Sequence, residues 1–382
     1  MTIIPSQRHL FNIPDHIAYF NCAYYSPLLN ESVNRLVQGV YSKSSPWQRF
    51  PSHFFEDAET IRKMASEIFG GDTDGYAIIR AASYGFSTAM RIAEPLLKKG
   101  DKILVPAEEF PSVVYNARRV CYETGAEIIT IPYPEDGNWT TQVLNYIDDE
   151  VKILAMSACH WTNGAYVNLE AVGDACRQAN CVFMIDATQA LGAMPIDIDR
   201  IQPDFLIAAA YKWMLCPYGS GLMYVNEKWR NARPLEETWP ARENAENFAE
   251  LVNYNDNYQP GAKRFDAGEK CTPTILPGMV AALEQIQKWG VENIAASISA
   301  INESVSSHLL SLGFQLPDAA QRCPHMFGAV LPPAYKGNLV TELKERNIFI
   351  SQRGNALRFS PHLYNNENDM HNLLNALDDL IR

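Results

Sequence analysis

The sequence predicts an α/β protein: a large domain on a mostly parallel sheet flanked by helices, followed by a smaller C-terminal α+β domain. Three observations point there. Short apolar runs ending on a polar residue recur between stretches of helical spacing, the pattern of buried parallel strands joined by crossovers. Two of them, VFMID at 182–186 and FLIAAA at 205–210, end at or just before charged residues, Asp186 and Lys212. The chain has 382 residues, enough for a large core and more than one domain, and its last third alternates helices with short strands.

In chain order, AYFNCAYY at 18–25 reads as a short strand and turn. Helices follow at 31–38 and 54–70, the second stopped by Gly70 and Gly71. A strand at 76–79 leads into RAASYGFSTAMRIAEPLL, a small-residue turn and a helix. A helix N-terminus offers free N–H groups and partial positive charge, which suit a phosphate, so Ser83 there is either a ligand to an anion or a simple cap. Strands at 102–106 and 151–156 are followed by EEFPSVVYNARR and by the turn SACHWTNGAYVN, and 169–178 has helical spacing. After Lys212, flanked by Tyr211 and Trp213, come Pro217, Gly219 and Gly221, the punctuation of a tight turn, and another apolar run at 222–225. Residues 227–257 are polar, acidic and loop-like. Beyond them, helices are expected at 277–289, 294–312, 340–346 and 367–380, with strands at 325–331 and 348–351.

Composition narrows the function classes. Hydrophobic residues make up 47% and charged residues 20%, ordinary for a globular protein. The net charge of −12 is spread without a basic cluster, so neither nucleic acid nor an anionic membrane is an expected partner. No apolar stretch approaches a membrane span, and the first residues lack the pattern of a secretory signal. The eight cysteines include no C-x-x-C pair, which fits reduced thiols in a cytoplasm. The eight histidines have no metal-ligand spacing, so no metal is expected and His160 is assigned no role.

Two residues carry the chemistry. A lysine among so many apolar neighbours loses hydration, which disfavours its ammonium form. The free amine that results is a nucleophile and forms a Schiff base with a carbonyl cofactor. The alternative for Lys212 is a strand-end lysine whose ammonium snorkels to water. A carboxylate at the end of a buried parallel strand lies in the crevice where open α/β sheets bind ligands, so Asp186 can face a protonated ring nitrogen. Its alternative is a helix cap. Pyridoxal phosphate requires this pair: a lysine for its aldehyde and an acid beside its pyridine nitrogen.

The run D-x-x-Q at 186–189, P-x-D at 195–197, Y-K-W at 211–213 and G-x-G-x-x-Y at 219–224 resembles the class V aminotransferase group of pyridoxal phosphate enzymes. That group includes cysteine desulfurases, kynureninase-like hydrolases and isopenicillin epimerase-like proteins. The resemblance runs from about residue 19 to residue 364 and implies a fold type I, aspartate aminotransferase-like architecture. A seven-stranded sheet is then expected in a large domain at 16–265, with 1–15 and 266–382 forming the small domain. It implies pyridoxal 5′-phosphate on Lys212, Asp186 at the ring nitrogen and Gln189 at the ring oxygen. Ser83, Tyr84 and Tyr211 would lie about the phosphate, and Phe110 would stack on the ring where relatives often have histidine. RFDAGEKCTP resembles a segment that crosses the dimer interface, which would make Thr272 a phosphate contact for a neighbouring subunit. ALRFSPHLYN resembles the segment whose arginine grips the substrate α-carboxylate, assigning that role to Arg358, with Arg353 as the second candidate and Tyr24 lining the pocket. The substrate is then an amino acid and the molecule a homodimer. Transamination is the first reading, an epimerase or a Cβ-lyase the second, and a non-catalytic interaction protein the last. Segment 353–358 contains no cysteine, which argues against persulfide-forming desulfuration.

Overall fold

The computed structural model describes residues 1–381. The chain opens with β1 (Ala18–Tyr19), α1 (Asn30–Ser44) and α2 (Glu56–Phe69), then enters the large sheet through β2 (Tyr76–Ile79). Next come α3 (Ala82–Ala93), β3 (Lys102–Pro106), α4 (Pro111–Thr124), β4 (Glu127–Ile131), α5 (Trp139–Leu144) and β5 (Val151–Ser157). After them follow α6 (Leu169–Gln178), β6 (Val182–Asp186), the short α7 (Ile198–Ile201), β7 (Phe205–Ala209) and β8 (Gly221–Val225). The C-terminal part contains α8 (Leu276–Trp289), α9 (Val291–Ser311), β9 (Phe327–Val330) and α10 (Leu339–Glu345). It ends with β10 (Ile348–Phe349), β11 (Ser351–Arg353), β12 (Ala356–Phe359) and α11 (Glu367–Ile381).

Seven strands form the large sheet in the order β2-β8-β7-β6-β5-β3-β4, and only β8 runs antiparallel to its neighbours. This is the mostly parallel, seven-stranded architecture expected. The period of two along each strand divides its side chains between two cores. Along β5, Leu154 and Met156 enter one core while Ile153 and Ala155 enter the other, and β6 and β7 divide in the same way. Burial on both faces is why these strands read as unbroken apolar runs. Helices α3 and α4 cover one face, and α2, α6 and α8 the other. A third core lies under the antiparallel sheet β11-β12-β9, sealed by α9, α10 and α11. The N-terminal segment joins that region, since β1 pairs with β10.

Helix α8 begins beyond residue 265, yet it packs across α1 and α2 and places Met279, Leu283 and Ile286 in a core of the large sheet. Strand β4 has no counterpart among the expected strands. It is an edge strand whose EIITI sequence is half exposed, so it lacks a buried apolar run. Helix α1 runs to Ser44, well past the expected end at 38, and the expected strand 348–351 divides into β10 and β11, which pair in different sheets. Residues 227–257 hold only short 3-10 turns.

Two close approaches bring the chemistry-bearing segments together. A Cβ on Gly85 would come within 2.6 Å of Ile207 Cγ2, so glycine lets α3 sit tightly on β7 with its N-terminus near the end of that strand. Gly192 has φ +95°, and a Cβ there would lie 2.6 Å from Trp213 O. It thereby locks the turn after Asp186 against the backbone just after Lys212.

Candidate active site

The ends of β6 and β7, the end of β5 and the start of α3 enclose a cavity of about 210 Å³. Asp186, Gln189, Lys212, Phe110, Tyr211 and Ser83, six of the residues singled out in the sequence, line it. Lys212 stands just past β7 and is only 7% exposed. Its Nζ lies 5.8 Å from the ring centre of Phe110 and 5.7 Å from that of Tyr211. It makes no hydrogen bond or ion pair among the described residues. Burial, with the positive charges of Arg358 and Arg353, brings its ammonium down to about 8, against the opposing pull of Asp186.

Asp186 closes β6 and is 4% exposed. Its Oδ1 accepts a hydrogen bond from Thr188 N at 2.9 Å, and among the described residues no cation pairs with it. Burial raises its carboxyl above the ordinary range, partly offset by Thr188 and Lys212. Gln189 is tied at both ends of its amide: Nε2 donates to Ala23 O at 3.1 Å and Oε1 accepts from Trp213 Nε1 at 2.8 Å. One N–H of that amide is left for a ligand. Phe110 stands at the start of α4 with its ring edge-on to Trp161 at 5.4 Å. Tyr211 packs on Tyr218 at 4.6 Å, and both line the cavity.

At the start of α3 the N-cap is Ala81, with no side-chain cap. Ser83 is exposed and caps nothing, and the amides of Ala82 and Ser83 are free. Tyr84 is turned away: its Oη donates to Asp266 O at 3.5 Å and its ring packs in the second core. Thr272 does not line the cavity. Its hydroxyl donates to Glu269 O at 2.7 Å and accepts from Arg80 Nη2 at 3.3 Å within the same chain. Tyr24 is 58% exposed on the N-terminal turn.

Arg358, on β12, is 1% exposed. Its Nη1 donates to Trp161 O at 2.8 Å, while Nε and Nη2 are buried without a partner among the described residues. Burial, together with Arg353, brings the guanidinium down to about 9. Trp161 lines the cavity, whereas Arg358 and Arg353 stand beside it and do not line it. His160 is spent on structure: its ring bonds Thr162 Oγ1 at 2.8 Å and Ala107 O at 3.0 Å and stacks on Trp139.

Two residues escaped the sequence reading: Arg80 on the cavity wall, and Glu109 behind the lining residues Ser157 and Phe110. Arg80 reaches along the α3 N-terminus to Gly268 O and Thr272, bringing to the cavity a cation that has no carboxylate partner among the described residues. Glu109 is buried, accepting from Ser157 N at 2.6 Å, Ser157 Oγ at 2.5 Å and Phe110 N at 2.6 Å. Burial raises Glu109 to about 7, the bonds from Ser157 and Phe110 opposing it and Asp186 adding repulsion. Only the position of Arg80 directly before a small-residue helix start could have signalled it.

The segment around Asp266 secures this site from behind. Arg62 is fully buried and forks onto Asp266 at 2.6 and 2.9 Å, Lys270 pairs with the same carboxylate, and Ile78 N donates to it at 2.7 Å. Burial alone would raise Asp266, but Arg62 and Lys270 outweigh it and hold the carboxyl low.

A family model for class V aminotransferases matches residues 33–373. An uncharacterized aminotransferase of Bacillus subtilis, YcbU, is 25% identical, the match covering 100% of this chain and 98% of the relative. A probable cysteine desulfurase of Pyrococcus abyssi is 24% identical over 85% of this chain and 83% of its own. Among solved structures, a cysteine desulfurase from Thermococcus onnurineus superposes with a TM-score of 0.84 at 16% identity, covering 100% of this chain and 99% of that one. The cystine C–S lyase C-DES, solved with cysteine persulfide, gives 0.85 at 19% identity over 96% and 99%.

Proposed function

The chain belongs to the class V aminotransferase family, and on that premise we propose that it is a pyridoxal phosphate enzyme that works at the Cα of an amino acid by transamination. One observation carries the amino acid part of this reading: Arg358 is a buried guanidinium with two unpaired N–H groups, close enough to Lys212 to act on its charge. Buried polar groups are almost always bonded, and a buried cation needs an anion. A substrate α-carboxylate supplies one, matched to the fork.

The cavity fits the cofactor: a lysine without a partner, a carboxylate without a cation, and a helix start with free amides beside Arg80. Lys212 would hold the aldehyde end and Asp186 the ring nitrogen, with Phe110 over the ring face and Gln189 offering its remaining N–H. The free amides of Ala82 and Ser83, the Ser83 hydroxyl, Tyr211 and Arg80 would take the phosphate. When bound, the cofactor supplies an electron sink that stabilises negative charge at Cα. Lys212 then moves the Cα proton as a general base, a task suited to an amine that is uncharged nearer neutrality than an ordinary lysine.

The same parts would serve an epimerase or a Cβ-lyase. Persulfide-forming desulfuration is disfavoured, because the β11–β12 turn presents Gly354 and Asn355 in place of a thiol. Cys22 faces Lys212 O at 3.9 Å, but burial pushes its thiol up, so it is held as a neutral thiol. The discriminating experiment mixes purified enzyme with single amino acids and follows the cofactor absorbance and the product. Keto acid without free ammonia, with the amino group retained on the cofactor, marks transamination; racemised substrate marks an epimerase; keto acid together with ammonia, or release of sulfide, marks a lyase. Borohydride reduction with peptide mapping should label Lys212; a label on Lys228, Lys263 or Lys270 would overturn the site.

A homodimer is part of this proposal. Val33, Val37, Val40 and Tyr41 are exposed along one face of α1, with Trp47 and Phe50 just beyond it. An apolar stripe of this kind supports a protein–protein contact. Its test is sedimentation of the protein before and after Val37→Asp. A cytoplasmic location is supported by eight free cysteines, six of them buried. Among the described residues no helix is long and apolar enough to cross a membrane.

A further inference from the structure

The register of the β11–β12 hairpin places two arginines together. Ser351 is paired with Arg358, and Arg353 with Ala356. Directly opposed residues of an antiparallel pair share a face, as do residues two apart in a strand, so Arg353 and Arg358 project from one face as diagonal neighbours. Such positions lie about 7–8 Å apart, within reach of long side chains. Ala356, opposite Arg353, is too small to fill the space between them.

Both arginines meet Trp161 on the cavity wall. Arg358 donates to its carbonyl, and the guanidinium carbon of Arg353 lies 5.8 Å from its ring centre. They stand at different depths: Arg358 is buried, whereas Arg353 is partly exposed. Tyr24, from the N-terminal turn, is near enough to act on the charge of Arg353. Among the described residues the Arg353 guanidinium makes one hydrogen bond, to the adjacent Gln352 O at 2.7 Å. No carboxylate pairs with either arginine among the described residues, although the chain has 44 acidic residues against 32 lysines and arginines. By contrast Arg62, Arg91 and Arg230 each have a carboxylate within 2.6 Å.

The charges in the cavity and beside its Trp161 wall can be matched with the groups of the proposed complex. Asp186 answers the ring nitrogen, the α3 N-terminus with Arg80 answers the phosphate, and Arg358 answers the α-carboxylate. Arg353 is left over, without a carboxylate partner among the described residues, on the same face as Arg358 and nearer the protein surface. We infer that Arg353 is a second anion subsite, so that the substrate is an amino acid whose side chain ends in a carboxylate. This rests on the reading of Arg358 as the α-carboxylate ligand. The difference in depth separates the two roles: the closed fork of Arg358 takes the group next to Cα, and Arg353, over the indole of Trp161, takes the group at the far end.

The test uses the cofactor-loaded enzyme and two unreactive probes of equal chain length, succinate with two carboxylates and butyrate with one. Binding is measured by calorimetry at pH 7.5, with the cofactor absorbance as a check that each variant remains loaded. Succinate is expected to bind at least tenfold more tightly than butyrate. Arg353→Leu should bring that ratio to about one, and Arg353→Lys should restore part of it. In half-reactions, aspartate or glutamate should exceed asparagine or glutamine by a similar factor. A ratio near one in the unmodified enzyme overturns the inference. So does an Arg353→Leu variant that weakens both probes by the same factor, because Arg353 would then share the α-carboxylate or merely support the hairpin. Arg358→Lys reports separately: if it leaves both probes unchanged, the α-carboxylate reading fails, whatever the ratio does.

Discussion

Arg358 should be a residue that the folded protein is more stable without. Its guanidinium is 1% exposed and two of its three nitrogens have no partner. Burial and the nearby Arg353 bring it from 12.5 to about 9. One pH unit is 1.36 kcal/mol of differential interaction, so holding it charged in the folded state costs roughly 5 kcal/mol. A cation whose folded value lies below its unfolded value destabilises the fold at every pH below both, and this penalty is relieved only as pH rises from about 9 toward 12.5. It is therefore fully present at neutral pH. Arg358→Met removes the penalty and keeps most of the apolar volume, at the loss of the bond to Trp161 O, about 1–2 kcal/mol. A net gain on the order of 2–4 kcal/mol follows, in line with the stabilisation seen when buried ions are replaced by hydrophobes. The assay is thermal and denaturant unfolding of the apoprotein alongside calorimetric titration of the loaded enzyme with a carboxylate ligand. The variant should melt several degrees higher and bind no carboxylate at the site. Arg358→Lys keeps the charge without the fork and should weaken binding by about 2 kcal/mol. If Arg358→Met melts lower or loses the cofactor, the arginine is a strut between the two sheets and the reasoning fails.

Three further outcomes follow from the same geometry. Because Lys212 is brought down to about 8, the rate at which apoprotein captures pyridoxal phosphate should rise about tenfold per pH unit up to that value and then level off; a stopped-flow series showing the climb continuing to about 10 would contradict it. Asp186→Asn should retain the cofactor while turnover falls by about three orders of magnitude, roughly 4 kcal/mol of barrier, and near-normal turnover would leave Asp186 as a structural acceptor for Thr188. Asp266→Ala strands Arg62 as a buried, unpaired charge and should cost about 3–5 kcal/mol in denaturant unfolding, with Lys212 still labelled in whatever remains folded.

The large sheet and the ends of its central strands were legible in the sequence because both faces of β5, β6 and β7 are covered. Double burial forces unbroken apolar runs, and any polar residue at their ends then stands out, as Asp186 and Lys212 do. Strand β4 was not legible: at the sheet edge it meets solvent, so its composition blends with that of loops. Helix α1 ran past its expected end for a similar reason, since its outer face carries Val37, Val40 and Tyr41 in the open, against the rule that apolar residues turn inward. The motif resemblance singled out Ser83 and Tyr84 as neighbours in one turn, but one residue along a helix start is a rotation of about 100°, and that sends Tyr84 into the core and leaves Ser83 at the cavity. Arg80 and Glu109 acquire their positions from partners 188 and 48 residues away, Gly268 and Ser157, and no local pattern encodes such distances. The arginines divide the same way. That Arg358 sits in an apolar strand is written in ALRF, and this alone marks it as a buried charge in need of a partner. That Arg353 shares its face, at a shallower depth against the same tryptophan, is decided by the pairing of Ser351 with Arg358, because strand register exists only once two strands have met.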